Sequence, residues 1–501
     1  MKPKLRRLHA CCIFVAIAIV VSGCAALPGH LDRAACPKNV ILYIGDGMGA
    51  AQRRLAEEVT GDTLAMNRLP VAGVFTNTPL QGKATAAYAE QNKIPREYMQ
   101  SLRIITDSAA SGTAMATGKK TENYAVSVGP LRETAYETIA EAAKRIGKSV
   151  GLITTSLITD ATPAAFGAHV DDRSMMDEVA AQYVEQGFDV LMGGGWRYFL
   201  PKAEGKGARE DGRDLISAFT DRGYAVVRTR EELAAIDADT ADRILGLFSP
   251  AYMPYYLDRT DKEPDLPAMV DLSIEILSKN PNGFFLMVEG ARIDHASHAN
   301  DPGGTVGDLL ELDRAVETGV DYLHEQDADT LVLVCADHET GGLSLGRRGA
   351  AAIRPSVIDG IDHSIEWLAY VLPSVPDAAV DRFMQHTGIL DLTDAEKASI
   401  ATAARHASKA NGYKASDGKT SSAPGVAQIA ADIINQRIGI GWATGGHSGM
   451  PILITADGPG SVAFTGYYDQ TELANRIAAL WGVALRSWPV DAAEGAGKPK
   501  N

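Results

Sequence analysis

Apolar runs rich in Val, Ile and Leu alternate along this chain with segments in which apolar residues recur every three or four positions. The first pattern is typical of strands buried on both faces, and the second of helices that cover a sheet. The predicted strands are 39–44, 149–154, 188–192, 283–288, 330–335 and 451–455. The predicted helices are 133–146, 174–186, 266–279, 307–325, 426–437 and 470–480. This alternation predicts an α/β fold with a mostly parallel central sheet and helices on both faces.

Three segments depart from this rhythm. Residues 81–103 are predicted to be a surface connection, and 201–214 form a charged, glycine-containing excursion. Residues 341–441 are rich in alanine, with helical runs at 378–386 and 394–407, and we predict a helical cap insertion there. The catalytic domain is expected to span 38–490 as one unit. The Ala, Gly, Lys and Pro residues of 491–501 predict a disordered tail.

The amino terminus has the organisation of a targeting segment. Basic residues at 2–7 precede an apolar run at 10–21 that is short for a permanent transmembrane helix, and small residues lead to Cys24. The sequence Val-Ser-Gly-Cys resembles the bacterial lipobox, which implies a signal peptide at 1–23, lipidation of Cys24 and a linker at 24–37. Several acyl chains would anchor the protein stably, in the periplasm or at the cell surface. The alternative is an ordinary secretory signal cut near Ala25 or Ala26.

Composition narrows the class of partner. The 501 residues are 46% hydrophobic and 22% charged, as in ordinary globular proteins, and the net charge of −15 argues against nucleic-acid binding. Metals and one arginine could still bind phosphate by reversing the field locally. After removal of the signal and lipidation of Cys24, only Cys36 and Cys335 remain. They fall at opposite ends of two predicted parallel strands, so we predict no disulfide.

Closely spaced Asp, Glu, His and Ser residues stand beside glycine turns in short stretches that end or open predicted strands. These stretches are GDGMG with Asp46, TDSAASG with Ser108, ITDATP with Asp160 and Thr162, VEGARIDHASH with Glu289, Asp294 and His298, VCADHE with Asp337 and His338, and TGGHSG with His447. Carboxylates and imidazoles gathered at strand ends are typical of a multi-metal site. A hydroxyl among them suggests a metal-activated nucleophile.

The motifs differ in how specifically each one, taken alone, indicates a functional site. Asp294 and His298 are four positions apart, so on a helix both face one side and can share a metal ion. Glu289 ends an otherwise apolar strand, where a carboxylate needs a compensating cation. Ser108 would stand at a helix amino terminus that favours an anion, although a cap is the simpler interpretation. Asp46 alone would be an ordinary turn residue.

Taken together, the motifs resemble the alkaline phosphatase family, in family order, over residues 38–484. The resemblance implies an alkaline-phosphatase-like fold and hydrolysis of phosphomonoesters through a phosphoserine on Ser108. It implies two Zn²⁺ ions and one Mg²⁺ ion. The implied ligands are Asp46, Asp337 and His338 for one zinc, Asp294, His298 and His447 for the other, and Asp46, Thr162 and Glu289 for magnesium.

The resemblance also assigns residues around the phosphate. Arg173, thirteen residues after Asp160, would hold two phosphate oxygens, whereas the sequence alone favours a surface salt bridge with a nearby aspartate. Asp160 would orient water on the third metal rather than bind it. His295 stands where family members vary, which leaves third-site metal preference and pH optimum open. His169 is expected to be packed structurally, and His324, His363 and His386 show no partner spacing.

Alternatives to a phosphomonoesterase stay open at this point. The same metal core supports phosphodiesterases and sulfatases, although Ser108, Thr162 and Glu289 together favour the more highly charged monoester. A phosphate-binding surface lipoprotein without turnover is a second alternative, and a docking role of the 341–441 insertion is a third. Family members are often homodimers, so a homodimer is possible.

Overall fold

The structure is a computed structural model of the chain that describes residues 36–91, 93–94, 104–202, 207–347, 352–409 and 424–490. The predicted signal peptide, Cys24, most of the predicted linker and the predicted tail therefore lie outside the described residues. Within the described ranges, no helix has both the length and the apolar character that crossing a membrane requires.

The strands form one large sheet and three short ribbons. The strands are β1 Asn39–Gly45, β2 Val71–Thr76, β3 Thr134–Tyr136, β4 Ser149–Leu157, β5 Val190–Gly194, β6 Ala225–Val227, β7 Ile244–Leu247, β8 Phe284–Gly290, β9 Thr330–Cys335, β10 Glu339–Thr340, β11 Leu343–Leu345, β12 Ile440–Trp442, β13 His447–Ser448, β14 Ile452–Asp457, β15 Gly466–Asp469 and β16 Ser487–Pro489. The ten-stranded sheet has the order β15-β2-β14-β9-β1-β8-β4-β5-β7-β6. The ribbons pair β10 with β13, β11 with β12, and β16 with β3.

Helices fill most of the connections. They are α1 Ala50–Thr60, α2 Ala65–Arg68, α3 Lys83–Gln91, α4 Ser108–Thr117, α5 Ile139–Arg145, α6 Ala161–Gly167, α7 Met176–Gln186, α8 Leu215–Asp221, α9 Arg230–Ala234, α10 Leu266–Ser278, α11 Arg292–His298, α12 Pro302–Asp321, α13 Ile365–Ser374, α14 Ala379–Thr387, α15 Asp394–Lys409, α16 Pro424–Ile438 and α17 Glu472–Leu480. Short 3₁₀ turns include Tyr256–Asp258 and Pro355–Gly360.

Helices cover both faces of the sheet because successive side chains of a strand point in opposite directions. On one face Leu286 of β8 lies with Leu277 of α10 over Gly151 of β4. On the other face the preceding residue, Phe285, stacks on Phe166 of α6 with ring centroids 6.1 Å apart. Burial on both faces explains the continuous apolar runs, and the predicted α/β class is confirmed.

One strand of the sheet runs against the others. All neighbours pair in parallel except β14, which is antiparallel to both β2 and β9. The predicted mostly parallel sheet is confirmed, but the sequence did not indicate that 451–455 is the reversed strand. The reversal matters for the site, because it brings the amino end of β14 to the edge where the other strands end.

Element assignment from the sequence is confirmed for the central strands and is incomplete in shorter regions. The predicted helix at 133–146 starts too early, because Thr138 caps α5 with a capping box and the preceding Thr134–Tyr136 pairs with β16. Strands β2, β6, β7 and β15, which are the two outermost strands at each edge of the sheet, were not predicted. The segment predicted as a surface connection at 81–103 contains helix α3.

The region predicted as an insertion, 341–441, begins and ends as a two-stranded ribbon of β11 and β12. Between these strands, α13, α14, α15 and α16 pack on one another. This helical segment contacts the catalytic core through α1 and α12. Residues 348–351 and 410–423 of this segment lie outside the described residues.

Candidate active site

The predicted site residues converge at one edge of the sheet. Parallel pairing puts Ile44 of β1 opposite Glu289 of β8 and Cys335 of β9, so Asp46 and Asp337, which follow these strands, are neighbours. Asp160 and Thr162 begin α6 beyond the end of β4. His447 precedes the reversed strand β14 and reaches the same edge from the opposite chain direction. Two groups of possible metal ligands result, namely Asp46 with Asp337 and His338, and Asp294 with His298 and His447.

The first group is close but not hydrogen bonded. His338 Nε2 lies 3.1 Å from Asp337 Oδ2 and 3.5 Å from Asp46 Oδ1. Neither carboxylate oxygen has a hydrogen-bond partner among the described residues, although both are buried. The three atoms therefore face a common space, as ligands of one cation do.

Thr340 fixes which nitrogen of His338 carries the proton. The Thr340 hydroxyl donates its one hydrogen to Asp294 Oδ1 at 2.5 Å, and its oxygen lies 3.3 Å from His338 Nδ1. Nδ1 must therefore be the donor toward Thr340, which leaves a lone pair on Nε2 when the ring is neutral. Burial, followed by the charge of His447, lowers the pKa of His338, which favours that neutral ring.

The second group is oriented by backbone carbonyls. His298 Nδ1 lies 2.7 Å from the Gly445 carbonyl oxygen, and His447 Nδ1 lies 2.8 Å from that of Thr106. A carbonyl only accepts, so both Nδ1 atoms carry protons. The two Nε2 atoms then face each other at 3.1 Å. The Asp294 carboxylate lies 3.2 Å from Nε2 of His298 and 3.6 Å from Nε2 of His447. A shared proton or a bound cation must lie between these lone pairs, and a carboxylate with two imidazoles is a zinc ligand set.

Glu289 and Thr162 lie beside the first group. Glu289 is buried at the end of β8 and accepts a hydrogen bond from Thr154 Oγ1 at 2.5 Å. The Thr162 side chain lies near the Glu289 carboxyl, yet its buried hydroxyl has no partner of hydrogen-bond geometry in the described part of the chain. A carboxylate and a hydroxyl oxygen of this kind fit a hard cation such as Mg²⁺.

The carboxylates of Asp46, Asp337 and Glu289 are not balanced by positive charges of the protein. Burial, followed by the charges of Asp337, Asp294 and Glu289, raises the pKa of Asp46. Burial and the charge of Asp294 raise the pKa of Asp337 to about 7. Burial also raises the pKa of Glu289 to about 8. Carboxylates that resist ionisation together are what bound cations compensate, so the residues present fit a multi-metal centre.

Ser108 is the hydroxyl of the centre. It is the first residue of α4, and its Oγ lies 3.2 Å from His338 Nε2. Asp107 caps the helix by accepting the Ala110 N–H at 3.0 Å. The cap and the predicted nucleophile are therefore two adjacent residues rather than competing interpretations of one. The free N–H groups of the first turn favour an anion in front of Ser108.

Arg173 does not form the surface salt bridge that its neighbours suggested. Its Nη1 lies 3.3 Å from Asp107 Oδ2 and its Nη2 lies 3.1 Å from Asp160 Oδ1. Asp160 is held by protein donors, because it also accepts from Ser156 Oγ at 2.7 Å and from the Ala161 N–H at 2.8 Å. The two carboxylates place the guanidinium beside Ser108, in reach of an anion at the helix terminus.

A glycine turn allows these groups to approach closely. Gly47 has φ of +71°, and a Cβ atom there would lie 2.8 Å from Thr340 Oγ1 and 2.9 Å from Asp294 Oδ1. Any side chain would therefore push the loop after β1 away from both ligand groups. The GDGMG motif owes its second glycine to this contact.

His295 is placed by a residue that the sequence did not single out. Arg292 Nη1 lies 2.8 Å from His295 Nδ1, and arginine can only donate, so Nδ1 is an acceptor. Burial, followed by the charge of Arg292, lowers the pKa of His295 to about 4. Tyr252 packs edge-on against the ring with centroids 4.7 Å apart. No signal in the sequence marks Tyr252.

Glu339, the last residue of the VCADHE stretch, and Thr340, which follows it, are two further residues that the sequence prediction overlooked. Buried Glu339 accepts hydrogen bonds from Gln52, Ser448 and the backbone N–H of Leu343. It thereby joins the loop after β9 to the strand that carries His447. Their adjacency to Asp337 and His338 was the available signal.

Residues predicted to stand outside the site do so. His169 bonds to Glu141 Oε1 and to the Ser127 carbonyl, both at 3.0 Å, and its ring packs edge-on against Trp488. Cys36 is exposed and Cys335 buried, and both are free, as predicted.

Comparison with known proteins gives a consistent result. The family model described as "Alkaline phosphatase" matches residues 37–483. The chain is 34% identical to alkaline phosphatase 3 of Bacillus subtilis (strain 168) over 450 residues, covering 88% of each chain. The crystal structure of Thermus thermophilus alkaline phosphatase aligns with a TM-score of 0.73 and 30% identity, covering 93% of this chain and 97% of that one. A mutant alkaline phosphatase from the Antarctic bacterium TAB5, with Mg bound in its M3 site, aligns with a TM-score of 0.62 and 26% identity over 90% of this chain and 99% of that one.

Proposed function

Because this chain belongs to the alkaline phosphatase family and is an enzyme that hydrolyses phosphomonoesters, we propose that it acts through a phosphoserine on Ser108 in a centre of two zinc ions and one magnesium ion. One observation carries this proposal. Three imidazole rings, each oriented by a partner at Nδ1, turn their Nε2 atoms toward the edge where Ser108 lies, together with buried carboxylate oxygens that have no partner in the described chain.

The residues divide into three ligand sets. Asp46, Asp337 and His338 would hold one zinc, and Asp294, His298 and His447 the other. Asp46, Thr162 and Glu289 would hold magnesium, in keeping with the magnesium in the M3 site of the TAB5 mutant. When bound, such ions supply a positive field that lowers the pKa of a nearby hydroxyl and stabilises entering and leaving oxygens.

The chain itself positions the nucleophile and the ester. Ser108 Oγ would attack phosphorus, forming an Oγ–P bond while the bond from phosphorus to the alcohol oxygen breaks and the alcohol leaves with a proton. The amino-terminal N–H groups of α4 face the phosphoryl oxygens, and Arg173 binds two of them through its planar fork. Asp107 and Asp160 keep the guanidinium in place before substrate arrives. Water then cleaves the Oγ–P bond, releasing inorganic phosphate and restoring the hydroxyl.

Trapping the covalent intermediate tests this mechanism. We expect acid quenching during turnover of p-nitrophenyl phosphate to give wild-type protein carrying one phosphoryl group, located by peptide mass spectrometry on Ser108. Ser108→Ala should retain its metals but lose turnover on the order of 10³-fold or more. Ser111→Ala, in the same helix but bonded to the Asp337 carbonyl and Gln470, is the matched control. Phosphoryl transfer to another residue, or full activity of Ser108→Ala, would contradict the mechanism.

We also propose that the enzyme is an exported lipoprotein anchored through Cys24. The support is the basic, apolar and small-residue order of the amino terminus and its lipobox-like Val-Ser-Gly-Cys. Cys24→Ser expressed in a two-membraned bacterium should leave the membrane fraction and lose its acyl mass, with activity unchanged. Retention of the variant in membranes would reject the anchor.

A homodimer is the remaining expectation from the family, and light scattering of the purified full chain measures it. A mass of twice 53.1 kDa is expected for the unprocessed polypeptide, and a monomer mass would reject it.

A further inference from the structure

A second collection of histidines and carboxylates lies away from the active site, in the 341–441 segment. We call Asp362, His363 and His386 the cap cluster. Asp362 and His363 precede α13, and His386 stands near the end of α14. One ligand-type atom from each residue lies within 4.8 Å of one from each of the other two, the same criterion that groups the two catalytic sets.

The first imidazole of the cluster has a defined free nitrogen. His363 Nδ1 lies 3.1 Å from Asp258 Oδ1, in the 3₁₀ turn of the catalytic core. Asp258 also accepts from the Ser364 N–H at 3.1 Å and from the Ser364 hydroxyl at 2.5 Å, so it is held as an acceptor. Nδ1 of His363 therefore carries the proton, and Nε2 keeps its lone pair. Histidines that bind metals are commonly oriented by a carboxylate in this way.

The second imidazole lies over the remaining carboxylate. His386 Nδ1 is 3.0 Å from Asp362 Oδ1 and 3.2 Å from Oδ2. Within the part of the chain that the structure describes, neither His363 Nε2 nor His386 Nε2 has a hydrogen-bond partner. Because His386 Nδ1 shares a proton with Asp362, a cation bound to that carboxylate would take the place of this proton, and His363 Nε2 would supply a second imidazole lone pair.

Packing holds both rings in place before any ligand binds. Trp367 stacks on His363 with centroids 3.7 Å apart and planes at 9°, and it meets His386 edge-on at 4.7 Å. The two imidazole centroids are 5.3 Å apart. A ligand would therefore bind without paying much ordering entropy of the rings.

We propose that the cap cluster binds a divalent transition-metal ion, with zinc as the class member that its imidazole and carboxylate donors fit best. The ion would join the start of α13 to α14, and through the Asp258 to His363 bond it would tie both helices to the core. Because the His363 side chain is 28% exposed and that of Asp362 57% exposed, solvent completes the coordination and the ion exchanges readily. The proposed role is stabilisation of the insertion.

Zinc counting on the full chain tests this site. Wild type and His386→Gln, each with saturated catalytic centres, are dialysed to equilibrium against a series of buffered zinc concentrations, and bound metal is measured by mass spectrometry. We expect wild type to bind one more zinc ion per chain than the variant at the upper concentrations. Phosphatase activity should be equal, because no residue of the cluster belongs to the catalytic groups. His324→Gln, which removes an isolated histidine bonded to Asp457, is the matched control and should keep the wild-type count.

Two further measurements keep the test decisive if His386→Gln folds poorly. Asp362→Asn alters an exposed side chain and should weaken the additional zinc site about 10-fold. Hydrogen exchange of α13 and α14 should slow on zinc addition in wild type and His324→Gln, but not in His386→Gln. Equal zinc counts in all proteins, or zinc protection that persists in the cluster variants, would overturn the proposal.

Discussion

Two buried histidines of this protein lie at nearly the same distance from a carboxylate, but only one is hydrogen bonded to it. His169 Nε2 is 3.0 Å from Glu141 Oε1, in hydrogen-bond geometry. His338 Nε2 is 3.1 Å from Asp337 Oδ2, yet that oxygen has no hydrogen-bond partner among the described residues. Distance alone therefore does not separate an ion pair from a set of metal ligands. Alignment separates them, because ligands face a shared third point.

The environments of the two rings agree with this distinction. Burial acts most strongly on the pKa of His169 and would lower it, but the charge and hydrogen bond of Glu141 together with the Ser127 carbonyl raise the pKa above its usual value. Its other nitrogen donates to the Ser127 carbonyl, so a protonated ring satisfies every partner. At His338, burial and the charge of His447 lower the pKa. The His169 region balances its own charge, whereas the catalytic centre keeps buried carboxylates without protein partners, which the proposed cations would compensate.

Removal of metal ions by chelation should have the largest effect on the catalytic centre. Prolonged dialysis against a strong chelator is expected to reduce phosphatase activity more than about 10³-fold, equivalent to about 4 kcal/mol of transition-state stabilisation, because the metal field at Ser108 is lost. Zinc plus magnesium should restore the activity. His169→Gln serves as the control, since its response to chelation and restoration should match that of wild type. Activity that survives verified removal of the metals would contradict the proposed centre.

Arg173 provides the second-largest expected effect, because in the proposed mechanism it is the protein cation that binds the phosphate. Arg173→Met should lower kcat/KM for p-nitrophenyl phosphate about 100-fold, through loss of a charge-assisted bidentate contact. Arg173→Lys should recover part of the loss, since it keeps the charge without the fork. Inhibition by inorganic phosphate should weaken in parallel, with zinc content unchanged. An unaltered phosphate affinity would exclude Arg173 from the anion site.

Much of the catalytic edge was predictable from the sequence because strand ends and glycine turns are local signals. The strands before Asp46, Glu289 and Asp337 are continuous apolar runs, and each predicted boundary falls within two residues of the observed one. Parallel pairing then brings the residues that follow these strands to one edge. The two sets of residues that the structure brings together are those that the family resemblance implied, while their roles stay proposals.

Strand direction was not predictable from local pattern. A parallel β14 would have placed His447, which precedes it, at the edge opposite Asp337. The reversed pairing of β14 with β9 moves His447 to the catalytic edge. Direction is set by the path of the chain through the insertion and not by the apolar run itself, so the hydrophobic pattern of 451–455 contains no information about it.

Side-chain partners across long sequence separations were also beyond the sequence. Thr340 and Asp294 are 46 positions apart, and His363 and Asp258 are 105 apart. Two cap cluster residues precede α13 and the third lies in α14, without regular spacing, so His363 and His386 gave no sign of a shared site. Only packing of α13 against α14 and the core brings them together.

Thr340 supplies a smaller test of the catalytic half of the comparison. Thr340→Val keeps the shape but removes the hydroxyl that donates to Asp294 and fixes Nδ1 of His338. We expect a loss of about 10-fold in zinc affinity or kcat/KM, the lower end for residues that orient metal ligands. Thr387→Val, a buried threonine of α14 that donates to the Phe383 carbonyl, is the control and should change neither quantity. Equal behaviour of the two variants would show that the Thr340 hydroxyl does not orient the ligands.

The smallest expected effect concerns the His169–Glu141 pair and is measured through the pH dependence of the free energy of unfolding. The pKa of His169 is raised above its usual value of 6.5, so the bond to Glu141 stabilises the fold fully below about pH 6.5 and loses this contribution as pH rises through the folded pKa. Burial acts to raise the pKa of Glu141, but His169 and other donors lower it below its usual value of 4.5. The stability that Glu141 contributes is therefore lost only as the pH falls below 4.5 and through the pKa of the folded state. Urea unfolding of wild type and His169→Gln should therefore differ more at pH 6 than at pH 9, by about 1 kcal/mol. Comparing the two metal-loaded proteins at each pH cancels the shared titration of the catalytic centre. A difference that is constant or grows with pH would show that His169 is neutral, and the contrast with His338 would then not rest on charge.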